Sequence, residues 1–148
     1  MLPYGRYEDV MVTGYGKSEL DDLLKEVVPR HERYVYPDPN PQTGMYYRSD
    51  HFSFARVGVP ALFARGNCDS REHGKQWARQ KEQFWLENRY HDPSDEYNPE
   101  TWDLRGIRDD ARLFFEVGYR LANSDDFPRW KEGAEFKAIR EEMMQDQK

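Results

Sequence analysis

Histidine and cysteine are the side chains best suited to bind a metal or move a proton, and this chain has His31, His51, His73, His91 and a single cysteine, Cys68. The histidines lie 18–22 residues apart. A structural zinc takes four ligands at short spacings, and a catalytic zinc takes three with one position open. Neither an HExxH helix nor a CxxC pair is present, so a self-contained metal site drawn from His51, Cys68, His73 and His91 is the weakest reading. His91 stands apart by its surroundings. In "NRYHDPSDEYNPE", residues 88–100, it follows Tyr90 and precedes Asp92, Pro93 and Asp95. A proline-fixed turn holds an imidazole rigidly, and a neighbouring carboxylate can set its tautomer. A tyrosine hydroxyl beside it can donate to a developing oxyanion. The plainer alternative is a surface turn with a packing aromatic.

Asp50 and Arg65 are the other candidates. Asp50 precedes a short helical pattern, where it serves either as the N-cap or as a member of a hydrogen-bond network. Arg65 follows an apolar run at what reads as the carboxyl end of a strand, the place where open α/β sheets hold ligands. It is equally readable as a solvated end residue.

These residues need elements to position them. Val10–Thr13 reads as a strand closed by Gly14 and Gly16. Ser18 has the chemistry of an N-cap for a helix whose Leu20, Leu23, Leu24 and Val27 share one face. "YPDPNPQTG", residues 36–44, reads as a surface loop. A short helix carrying Phe54, Ala55 and Val57 ends at Gly58, and Val59–Ala64 then reads as a buried strand with Pro60 near its start. Residues 67–88 are polar, with helical potential around Gln76–Leu86, and are expected to form a lid-like excursion. Asp103 is placed to cap a long helix carrying Leu104, Ile107, Ala111, Phe114, Phe115, Gly118 and Leu121, and Gly133–Met144 gives a last charged helix.

Composition sets the bounds. The 148 residues are enough for about one domain. Their apolar share of 37% falls below the roughly 45–50% of an average domain, so the core is thin. A net charge of −6, with no basic run interleaved with aromatics, argues against nucleic acid as a partner. The longest apolar run, Val57–Ala64, is broken by Gly58 and Pro60, so neither a transmembrane segment nor a signal peptide is read. Alternation of helices and strands favours an α/β layered sheet. The strands read here are too few to close one, which suggests a sheet begun elsewhere and completed here.

Together, "YYRSDHFSFARVGVPALFARG", residues 46–66, "YHDPSDEY" some 25 residues later, and a long helix ending "LANSDDFPRW" resemble the carboxyl-terminal half of zinc exopeptidases of the bacterial leucyl aminopeptidase type. Glutamate carboxypeptidase II and glutaminyl cyclase are more distant relatives of that type. The resemblance runs from about Val10 to the end of the chain. It implies a three-layer αβα fold with a mixed sheet, incomplete in this chain, with residues 1–148 forming the later part of one catalytic domain and 130–148 a peripheral terminal helix.

The resemblance implies that His91 is the last ligand of a two-zinc site and that Tyr90 bonds the oxyanion of the tetrahedral intermediate. It makes Asp50 a support residue, Asp95 an orienting neighbour and Arg65 a substrate-binding residue. The remaining metal ligands and the general-base glutamate precede this region in the family. One histidine cannot hold a zinc pair, so this chain alone is expected to bind no zinc stably and to be inactive. The implied complete enzyme is a co-catalytic aminopeptidase that hydrolyses peptide bonds with a metal-activated water, and its partners are a peptide substrate and the missing amino-terminal half. Relatives imply a periplasmic or extracellular location. The alternative is a non-catalytic interaction module that keeps the peptidase fold and uses its tyrosine-rich surface.

Overall fold

In the computed structural model, residues 2–145 are described. The centre is β1, Asp9–Thr13, whose five residues are all buried. It pairs in parallel with β2, Tyr34–Pro37, and antiparallel with β3, Phe63–Arg65, giving a mixed three-stranded sheet of order β2-β1-β3. The β-branched and apolar side chains of β1 suit a strand covered on both sides. Gly14 ends it with φ +80, and a Cβ there would lie 2.4 Å from the Tyr46 ring, so only glycine fits.

Period-two alternation gives the sheet two unlike faces. Val10, Val12 and Ala64 face α1, Leu20–Val27, and α4, Arg105–Ala122, where Leu24, Val27, Leu113 and Val117 complete one apolar core. Leu24 and Leu113 are fully buried, and such burial stabilises by roughly 1.5–3 kcal/mol for each side chain. The opposite face carries Asp9, Met11 and Thr13, with Tyr34, Tyr36, Phe63 and Arg65 as their cross-strand partners. On that side lie α2, His51–Ala55, and α3, Gly74–Asn88: His51 packs on Phe63, Lys75 sits over Tyr34 and Tyr36, and Glu82 meets Arg65. Helices on both faces of a mixed sheet make this an α/β fold, as the sequence predicts.

Several local expectations shift. The second strand starts at Phe63, because Val59–Leu62 is irregular and Pro60 cannot donate to a ladder. β2 runs into the proline-rich loop, where Pro37 is tolerated at a sheet edge. Ser18 makes no side-chain cap. It is buried and pairs with Trp130 as an isolated bridge, while Asp21 accepts the Gly16 amide at 2.7 Å and closes the turn. The polar excursion holds a longer helix than its sequence suggests. Asp103 does accept the Arg105 amide, at 3.1 Å, where α4 begins.

After α4 the chain folds back. The Lys131 amide donates to the Lys17 carbonyl at 2.8 Å, and the Glu19 amide to the Arg129 carbonyl at 3.0 Å. The buried Trp130 indole donates to the Gly58 carbonyl at 2.8 Å. Trp130 and Phe136 join Tyr46 and Ala55 in a second apolar cluster, so these two side chains are core within the stretch 130–148 that the resemblance implies to be a peripheral terminal helix. The last helix, α5, is Lys137–Gln145. Among the described residues no helix is long and apolar enough to cross a membrane.

Candidate functional site

α3 ends by offering the Trp85 carbonyl to two amides, those of Arg89 and Tyr90, each at 2.9 Å. The next residue, His91, takes φ +60 in the left-handed region. A residue with a Cβ is held there at a cost of roughly 1–2 kcal/mol. The turn is then locked from behind. Asp92 Oδ1 accepts the Ser94 amide at 2.8 Å, and the Ser94 hydroxyl donates to the Asn88 carbonyl at 3.1 Å. The Ser94 bonds hold the Asp92 carboxyl below its ordinary range. Tilted ring contacts order the front, with the Tyr90 centroid 4.0 Å from His91 and 4.7 Å from Trp85. The Trp85 indole donates to Asp95 Oδ1 at 3.2 Å. Asp95 therefore braces the ring on which Tyr90 packs. Tyr90 as a whole is 44% exposed.

Tyr90, His91 and Asp95 are thus brought together, while Asp50 and Arg65 lie on the polar face of the sheet. Asp50 takes the N-cap position of α2 without a side-chain capping bond. Its neighbour His51 has its ring 4.8 Å from Tyr46 and 4.9 Å from Phe63. Both His51 ring nitrogens are buried without a partner, and burial lowers its pKa. Arg65 lies 3.9 Å from Glu82, with its guanidinium over Phe63. Among the described residues neither Asp50 nor Arg65 makes a hydrogen bond or ring contact with Tyr90 or His91. The link between the two patches is α3, whose Glu82 lies one turn before Trp85.

A buried polar group beside Arg65 was invisible to spacing arguments. Asp9 Oδ1 accepts the amides of Cys68 at 3.0 Å and Asp69 at 2.8 Å, while its Oδ2 has no partner. Burial pushes the Asp9 carboxyl up to about 6, against those amides. Asn67 donates to Glu82 Oε1 at 2.6 Å. Burial, with Asp9 and Glu82 nearby, pushes the Cys68 thiol up to about 12, so it is a poor source of thiolate at neutral pH. The one available signal was the aspartate heading an otherwise apolar strand, "DVMVT".

The donor set does not fit a zinc pair. Among the described residues no three His, Cys, Asp or Glu side chains converge to hold a metal ion. His73 packs tilted against Trp77, with ring centroids 4.4 Å apart. The carboxylates following His91 are already engaged by Ser94 and Trp85.

A model of Peptidase family M28 matches residues 1–116, and the chain belongs to that family. Membership carries a peptidase-like function, in a family that is generally zinc-dependent. No curated protein and no solved structure matches the chain.

Proposed function

We propose that this chain supplies the Tyr90–His91 part of a co-catalytic zinc aminopeptidase of the bacterial leucyl type, with the remaining ligands and the general base provided by a complementary amino-terminal segment. The observation that carries the reading is the left-handed His91, held by bonds on both sides within the matched region. Strain maintained by its surroundings is a mark of functional positions. His91 gives one imidazole ligand, and the Tyr90 hydroxyl donates a proton into a hydrogen bond with the oxyanion. Asp95 positions Tyr90 through Trp85. Asp50 supports the neighbouring loop, and Arg65, balanced by Glu82, faces the peptide.

The test is reconstitution with the complementary segment, followed by zinc analysis and turnover of aminoacyl anilides. His91→Ala is expected to lower bound zinc. Tyr90→Phe is expected to lower kcat by about 10²–10³-fold, the usual loss of one oxyanion donor, with little change in KM. Full zinc and turnover in His91→Ala would remove the assignment. A second reading, an interaction module without catalysis, draws on the exposed rings of Phe115 and Tyr119. It predicts no turnover after reconstitution.

A further inference from the structure

Beside the Tyr90–His91 turn lies a cleft of about 460 Å³, between the amino-terminal stretch, the end of α3 and residues 94–102. Ligand sites usually measure roughly 300–1,000 Å³. Its walls are aromatic, with Tyr4, Trp85, Tyr97 and Trp102 lining it. Tyr97 and Trp102 meet edge to face at 5.5 Å, so their ring faces turn in different directions around the opening. Two carboxylates, Asp95 and Glu96, line the same cleft against one cation, Arg89. The Arg89 guanidinium donates to the Ser94 carbonyl, and Asp95 accepts the Trp85 indole. The residues that line the cleft therefore combine electron-rich ring faces with one more carboxylate than cation, the pairing that attracts an ammonium or guanidinium. Outside the lining, Lys81 Nζ lies 5.6 Å from the Tyr4 centroid and 5.4 Å from that of Trp77, so one ring of the cleft already draws a cation.

We infer that this cleft is a subsite for a cationic side chain, lysine or arginine, of a bound peptide. The inference rests on the peptidase reading for its peptide and for nothing else. Trp85 joins the two places, since its ring packs on Tyr90 and also lines the cleft. A side chain held there would belong to a residue next to the bond presented to Tyr90. An acidic side chain would face Asp95 and Glu96, and a neutral one would forgo the cation–ring attraction.

The experiment follows the indole N–H signals of Trp85 and Trp102 by NMR in the 148-residue chain, titrated with Nα-acetyl-argininamide, Nα-acetyl-lysinamide and Nα-acetyl-norleucinamide. Trp130, buried in the other cluster, is the internal control. Both cationic amides should shift Trp85 and Trp102 saturably while Trp130 stays fixed, with norleucinamide at least about tenfold weaker. Binding should weaken several-fold in Glu96→Gln, and again as salt is raised. Asp95→Asn keeps the oxygen that receives the Trp85 indole, so it removes charge without removing that bond.

Equal binding of norleucinamide, no saturable shift, or full binding in both charge-removing variants would overturn the subsite. Loss of the subsite with turnover still dependent on His91 rejects this inference alone. Selective binding with turnover indifferent to His91→Ala rejects the catalytic assignment alone.

Discussion

Asp9 places a carboxylate, 0% exposed, at the head of the chain's best-buried strand, where one oxygen is bonded and the other has no partner. Burial raises its pKa from 3.8 to about 6. A folded-state pKa above the unfolded one contributes stability that is fully present below about 3.8 and lost as pH rises through about 6. The shift corresponds to a few kcal/mol. Asp9→Asn keeps an acceptor for the Cys68 and Asp69 amides and removes the titration. Its unfolding free energy relative to wild type should therefore improve between pH 4 and pH 7, on the order of 2–3 kcal/mol, in urea denaturation. A difference that stays flat across that range would show that Asp9 is not the titrating group. His51 has the opposite sign, because burial lowers its pKa and its contribution is lost as pH falls below about 6.5. At this scale the proximity of Tyr90, His91 and Asp95 was legible because they are neighbours along the chain. Glu82 and Asn67 escaped it because their meeting depends on how α3 returns to β3.

Elements are tied together by a buried pair that no local pattern reveals. Arg33, just before β2, donates to Asp110 of α4 at 2.6 Å, and both side chains are only 4% exposed. The same guanidinium reaches the Asp9 carbonyl of β1, and Asp110 also accepts the Gly66 amide at 3.0 Å, just beyond β3. One cluster thus joins three strands and a helix. Removing one partner of such a pair strands a buried charge and typically costs about 3–5 kcal/mol. Asp110→Ala should lose that amount in thermal or urea unfolding. Arg33→Met combined with Asp110→Leu should recover much of it, since no unpaired charge remains. A loss under about 1 kcal/mol for Asp110→Ala would mean that water reaches the pair. That α1 and α4 are helices was legible from their apolar residues, but the stripe read for α4 is not the buried one: Leu104, Ala111, Phe115 and Gly118 are exposed, and Leu113 and Val117, one face round, fill the core. β2 was not legible, because four residues running into a proline-rich stretch carry too little alternation, and β3 was read too early, over Val59–Ala64, because its three-residue extent is set by pairing with β1. The fold-back through Trp130 was hidden in a segment rich in charge and turn residues.

For the whole molecule, a compact monomer of 17.8 kDa exposes roughly 8,000 Å² by the usual scaling, and this chain exposes 9592 Å². Part of the excess is apolar and local. On the outer side of α4, Phe115 is 72% and Tyr119 60% exposed, and their rings stack at 5.9 Å. Two large rings side by side in water gain by burial against any apolar surface. The chain should accordingly associate with rising concentration and bind a hydrophobic dye. Phe115→Ser with Tyr119→Ser should reduce both, read by sedimentation velocity and dye fluorescence. Because neither ring fills the core, unfolding free energy should move by no more than about 0.5 kcal/mol for each substitution. An unchanged sedimentation profile would locate the association elsewhere on the surface. A loss of stability well above that range would show that the rings pack inward in solution, and the thin core would then be larger than the buried cluster around Leu24 and Leu113.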